Sequence, residues 1–103
     1  MVLAIDFDQT LHDARHPKPD KRMGPPMKGA KEAMEVLAAA SHTLIIHTIW
    51  TPDRHHVIRD WMLYYGIPFD YITNVKPEAD CYIDDRALHF ENWQQVLGEL
   101  SGA

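Results

Sequence analysis

Four short apolar runs, each ending in a polar residue, constrain this chain more than any other feature. Val2-Leu3-Ala4-Ile5 stops at Asp6, and Thr43 to Thr48 (Thr-Leu-Ile-Ile-His-Thr) closes on a threonine. Phe69 to Thr73 does the same, and Cys81-Tyr82-Ile83 stops at Asp84-Asp85. Such runs read as strands, the second one rich in β-branched residues. Between them lie helical patterns. From about Lys28 to Ala40, the residues Ala30, Ala33, Met34 and Leu37 mark one face among good helix formers. Thr51-Pro52-Asp53 looks like a helix start: an N-cap, a proline at the first position and an acid in the first turn. Val57, Ile58, Trp61, Met62 and Tyr65 then recur at helical spacing until Gly66 stops them. A last helix is expected from about Glu91 to Leu100, with Trp93, Val96, Leu97 and Leu100 on its apolar side. Strands alternating with helices predict an α/β fold with three layers and a short parallel sheet joined by right-handed crossovers.

The 103 residues leave room for one domain, 1–103, and no folded accessory domain. Residues 11–27 carry His12, His16, Gly24 and four prolines with no hydrophobic period, and read as a long loop or flap. Six of the ten Lys and Arg residues, Arg15, Lys18, Lys21, Arg22, Lys28 and Lys31, fall in or beside it. The net charge is −5, so a surface that grips nucleic acid all over is excluded, while this stretch is locally basic. No apolar run approaches the roughly 20 residues that span a bilayer, so no membrane partner is expected. Met1 leads into the first strand with no basic leader, and the single cysteine, Cys81, has no internal partner, so a cytoplasmic setting is expected. Cys81, Trp61 and Trp93 are expected in the core. The histidines at 42, 47, 55 and 56 lack the cysteine pairs or the HExxH spacing that would mark a zinc site.

In an open parallel sheet, chemistry gathers outside the carboxyl ends of the strands, where strand order reverses. Here those ends carry Asp6, Thr48, Asp84 and Asp85, with Asp8 just after Asp6 and Lys76 in the loop feeding the last strand. If the first and last strands are neighbours, their carboxylates converge, which is costly unless a charge cancels them. A hard divalent cation with oxygen ligands does so, and magnesium is the usual choice where a phosphate completes the shell. Thr48 and Lys76 are then left to hold phosphoryl oxygens.

The segment Asp6-Phe7-Asp8-Gln9-Thr10 after an apolar strand, Thr48 closing a second, Lys76-Pro77, and Asp84-Asp85 closing another resemble, in order, the four motifs of the haloacid dehalogenase superfamily. The likeness runs from residue 2 to about 86. It is nearest to small capless members with a Lys-Pro-x-x-Asp-x-Tyr-Ile-Asp-Asp-Arg segment. The resemblance implies a Rossmann-like fold and a phosphohydrolase acting through an aspartyl-phosphate. It makes Asp6 the nucleophile and Asp8 the acid and base. Thr48 and Lys76 would stabilise the transferring phosphoryl group, helped by the helix N-terminus near Pro52. Mg²⁺ would bind Asp6, the backbone carbonyl of Asp8, and Asp84, with Asp85 direct or through water. Thr10, counted with the phosphate-binding residues, would hydrogen-bond locally to hold the loop. Together these parts must supply on the order of 20 kcal/mol for phosphate-ester hydrolysis.

Two positions depart from the pattern. Gln9 stands where glycine is common, and Trp50 where similar small proteins often have arginine, with Arg54 a nearby substitute cation. Neither gap between motifs holds a folded cap, so the site is expected to be open, shielded by the flap or by a second subunit of a homodimer. Such a site suits a large or polyanionic phosphorylated substrate: a nucleotide, a nucleic-acid end or a phosphoprotein. A receiver-like signalling module uses similar residues, but there the acidic pair comes first and a lone Asp accepts the phosphoryl group later. A phosphotransferase or a non-catalytic metal- and phosphate-binding protein is compatible with the same residues.

Overall fold

The computed structural model describes residues 1–15, 23–86, 92–94 and 97–98. Its centre is a four-stranded, all-parallel sheet of β1 (Val2–Asp6), β2 (Thr43–His47), β3 (Tyr71–Thr73) and β4 (Cys81–Ile83). The strand order is β3-β2-β1-β4. The chain therefore moves outward from β1 through β2 to β3, then returns to the other side of β1. The reversal falls between β1 and β4, where the sequence calls for its carboxylates.

Helix α1 (Ala30–Ala39) joins β1 to β2, and α2 (His55–Tyr65) joins β2 to β3. Both pack on one face of the sheet. Leu3 and Ile5 of β1 and Leu44 and Ile46 of β2 share a core with Ala30 and Met34 of α1 and with Ile58, Trp61 and Met62 of α2. Two right-handed crossovers stepping in the same direction require this common face. The described residues thus form two layers, and the expected third falls to the segment 91–100. There Trp93, Gln94, Leu97 and Gly98 are helical, and the other residues of that segment lie outside the description apart from Asn92. Trp93 is 71% exposed and Leu97 is exposed too, so these two are not the core residues that their spacing predicts. Cys81 is likewise exposed, because β4 is an edge strand bonded only to β1 among the described residues.

The strands have well-marked starts. Asp70 and Asp80 precede the two outer strands, and each clamps one residue near the start of its inner neighbour by both of its backbone groups. The Asp70 carboxylate accepts from Leu44 N–H at 2.6 Å, while its own N–H donates to Leu44 C=O at 2.8 Å. Asp80 does the same to Val2, at 2.7 and 2.8 Å. The third strand begins at Tyr71 rather than Phe69, since Asp70 replaces a rung with its side chain. Gly66 ends α2 in the left-handed region at φ 69°, as expected of a terminal glycine. At the other end of α2, a 3₁₀ turn over Pro52–Arg54 comes first and Thr51 makes no capping hydrogen bond. The α-helical amides expected at Pro52 begin one turn later, at His55.

Candidate functional site

Asp6 is the last residue of β1, and the chain then folds around the carbonyl of Phe7. That one oxygen accepts from the N–H groups of Thr10, Leu11 and His12, at 3.3, 2.9 and 2.9 Å. Phe7 is fully buried, stacked on the His12 ring and edge-on to Trp61 and Trp50. The loop carrying both candidate catalytic carboxylates therefore rests on an aromatic base. Gln9, in the position where glycine is common, takes φ +65° and anchors the turn by accepting Ala14 N–H on its side-chain oxygen at 2.6 Å. The expected local hydrogen bond from the Thr10 hydroxyl is not made: its Oγ1 is buried without a partner, and the Phe7 carbonyl holds the loop instead.

The described ends of the flap form a stem. Leu11 is in the core, Asp13 N–H donates to Pro25 C=O and Met27 N–H to Leu11 C=O. Lys18, Lys21 and Arg22, on which the polyanion expectation rests, lie outside the described residues.

One carboxylate oxygen each from Asp6, Asp84 and Asp85 lie within 4.8 Å of one another. Burial pushes the Asp6 carboxyl up from its ordinary 3.8 to about 6, with Asp84 the next cause, while a hydrogen bond from the Phe7 backbone works the other way. Among the described residues this is the group suited to a metal ion. Its donors are all hard oxygens, which fits magnesium or calcium better than a softer metal. A hollow of about 250 Å³ opens over it, lined by Asp6, Asp8, Thr48, Asp84 and Asp85 among others. Thr48 is buried, and its Oγ1 accepts the N–H of Trp50 at 3.2 Å.

Lys76 faces a second hollow of about 390 Å³ that shares Asp6 and Asp84 with the first. Its ammonium lies 4.9 Å from the centre of the Tyr82 ring, and no carboxylate of the described residues is within ion-pair reach. Tyr82 in turn donates its hydroxyl to Pro77 C=O at 2.6 Å, tying the Lys76 loop to β4. Asp84 also accepts the backbone N–H of Arg86, at 2.7 Å.

Asp8 has quite different neighbours. Its Oδ1 lies 2.8 Å from His12 Nδ1, and its Oδ2 accepts the Trp50 indole N–H at 2.9 Å. The His12 hydrogen bond is the main cause that holds the Asp8 carboxyl below its ordinary value, and the Trp50 bond adds to it against burial. Sequence reading misses His12 as a site residue, because a lone histidine among loop prolines carries no signal. Trp50 was visible only as a departure, and its role as a donor to Asp8 was not. Arg54, the substitute cation, has its guanidinium 4.6 Å over the Trp50 ring.

In overall structure the chain is similar to a conserved protein from Bacteroides thetaiotaomicron, with a TM-score of 0.68 and 22% identity over 99% of this chain and 90% of that one. A likeness at that identity shows a shared fold. No protein-family model matches the sequence, and no curated protein does. No helix among the described residues is long and apolar enough to cross a membrane.

Proposed function

We propose that this chain is a magnesium-dependent phosphohydrolase of the haloacid dehalogenase type, with Asp6 as its nucleophile. The observation that carries the reading is the trio of Asp6, Asp84 and Asp85 oxygens within 4.8 Å, at the point where strand order reverses and beside Thr48. Burial first, and then repulsion from Asp84 and Asp85, makes Asp6 resist ionisation. Mg²⁺ held by these residues would cancel that repulsion and polarise the phosphoryl group.

The residues themselves account for the rest. An Asp6 oxygen forms a bond to phosphorus as the bond to the leaving oxygen breaks, giving an aspartyl-phosphate. Asp8 gives its proton to the leaving oxygen. Water then attacks phosphorus as the bond to Asp6 breaks, and Asp8 takes the proton of the water, so that inorganic phosphate and free Asp6 result. Asp8 is suited to this base role because two N–H donors favour its ionised form. Thr48 and Lys76 line the adjoining hollows from which phosphoryl oxygens would be contacted. The openness of the site and the basic stretch between Arg15 and Lys31 support a large or polyanionic phosphorylated substrate.

The test is turnover of an aryl phosphate with Mg²⁺, then with EDTA, then in Asp6→Asn. Activity that survives Asp6→Asn would overturn the mechanism. Absence of Mg²⁺-dependent turnover on that substrate and on a phosphorylated panel would favour a binding protein instead.

A further inference from the structure

His12 is 5% exposed, and both of its ring nitrogens are engaged. Nε2 accepts the backbone N–H of Gly24 at 2.8 Å, so that nitrogen carries no proton. The proton of the neutral ring is therefore on Nδ1, and the 2.8 Å contact to Asp8 is a donation from histidine to carboxylate. The ring cannot turn away cheaply. It stacks on Phe7 at 5.1 Å and 14°, and meets the edge of Trp61 at 5.5 Å and 79°. Trp61 donates its indole N–H to Gly24 C=O at 2.9 Å, so the peptide groups on both sides of Gly24 are fixed.

The second donor to Asp8 is held as firmly. Trp50 gives its backbone N–H to Thr48 Oγ1 and receives the His55 Nε2 proton on its carbonyl at 2.7 Å. A carboxylate has about four acceptor positions, and these two donors occupy one on each oxygen. The remaining positions belong to a side chain that lines the hollow with Asp6 and Thr48. Burying a polar ring is costly unless its nitrogens are hydrogen-bonded, and both of those of His12 are, one to Asp8 and one to Gly24.

We infer that His12 is a positioning residue for Asp8: with Trp50 it fixes the direction of that carboxylate toward the nucleophile's hollow, and Gly24 sets the tautomer in which it does so. The role in turnover rests on the hydrolase reading, but the clamp itself is observable without it.

Two substitutions separate positioning from packing. In His12→Asn the amide nitrogen can stand where Nδ1 stood, keeping the Asp8 bond and losing Gly24. In His12→Gln the amide reaches the place of Nε2, keeping Gly24 and losing Asp8. With an aryl phosphate and Mg²⁺, His12→Gln should lower kcat by roughly 10- to 100-fold with KM within about twofold, as expected of a misaligned reacting group. His12→Asn should stay within about fivefold of wild type. Equal losses in the two variants, or losses that follow their melting temperatures, would overturn the proposal. A second readout needs no activity: the Trp50 indole ¹H–¹⁵N resonance, assigned with Trp50→Phe, should move in His12→Gln and Asp8→Asn and stay near its wild-type position in His12→Asn. If wild type shows no Mg²⁺-dependent turnover, the hydrolase reading fails while this resonance still decides the clamp. A resonance indifferent to His12→Gln would sink the clamp whatever the activity.

Discussion

Asp6 and Asp8 stand two residues apart on one loop, and their surroundings push them in opposite directions. Asp6 faces Asp84 and Asp85 and is raised to about 6, with burial the main cause. Asp8 faces His12 and Trp50 and is held below its ordinary value. One carboxylate is half-buried beside two others, while the other accepts N–H groups on both of its oxygens. The alternation of a strand end explains how so short a segment can do both. Asp6 still belongs to β1 beside β4, whereas Asp8 has left the sheet for the aromatic base under the loop. In the proposed hydrolase, the raised Asp6 would need a bound cation to act in its ionised form, whereas Asp8 is ionised without one.

The comparison breaks most completely if Asp6 is made neutral. Asp6→Asn should reduce Mg²⁺-dependent hydrolysis of an aryl phosphate by about a thousandfold or more, since a covalent route is lost rather than weakened. The same variant should melt no lower than wild type in EDTA, because it removes one member of a repelling trio. A fall in both activity and metal-free stability would mean that Asp6 matters for folding and not for chemistry.

Metal should matter to one carboxylate environment and not to the other. A ligand at 100 times its Kd stabilises the folded state by about 2.7 kcal/mol. In a chain of this size that is a rise in melting temperature on the order of 10 °C. Wild type and Trp50→Phe should both show this rise with Mg²⁺, and Asp84→Asn should not. A rise retained in Asp84→Asn would move the metal away from the Asp6 trio.

On the Asp8 side, Trp50→Phe deletes one of the two donors and keeps an aromatic ring against Phe7. About tenfold lower kcat is expected, corresponding to about 1.4 kcal/mol of transition-state stabilisation. An unchanged kcat would show that His12 suffices to direct Asp8.

The opposite shifts also give a pH dependence of stability without metal. For Asp6 the folded state binds its proton near 6 and the unfolded state near 3.8, so between these values the folded state holds more protons. Stability from this group therefore falls as pH rises from about 4 to about 6 and is level above. Because the carboxylate is only partly buried, solvent screening limits the effect to about 1 kcal/mol. Asp8 has the other sign: its contribution is present above its unfolded value and is lost as pH falls through the lower folded one. Urea titrations in EDTA from pH 4 to 7 should show the Asp6 fall in wild type. Asp84→Asn should shrink it without removing it, since burial is the larger cause, and Asp6→Asn should abolish it.

What the sequence reveals follows the same division. The parallel sheet and the gathering of Asp6, Asp84 and Asp85 are legible because strand runs have short periods and their polar ends mark one edge. His12 and Trp50 are not legible, because their function depends on where a loop returns. The Gly24 N–H that fixes the histidine is twelve residues away, and the Trp50 indole approaches Asp8 across 42 positions. The exposure of Cys81 and Trp93 escapes for a related reason: amphipathic spacing says which side of an element is apolar, not whether a partner covers it.

The smallest expected effect tests the turn that follows the second carboxylate. Gln9 follows Asp8 at φ +65°, a left-handed conformation that glycine adopts freely and a longer side chain does not. Relief of that strain in Gln9→Gly favours the folded state by on the order of 1 kcal/mol. Against it stand the greater freedom of glycine in the unfolded chain and the loss of the bond from Ala14 N–H to the Gln9 side chain, each of about the same size. The terms nearly cancel, so Gln9→Gly should change stability by only about 0.5 kcal/mol in either direction. Gln9→Ala keeps the positive φ and loses the bond, so it should be the less stable of the two by about 1 kcal/mol. Urea midpoints at equal m-values would measure both. If Gln9→Ala matched Gln9→Gly, the left-handed turn would not be what sets Asp8 apart from Asp6, and the separation would rest on the His12 and Trp50 donors alone.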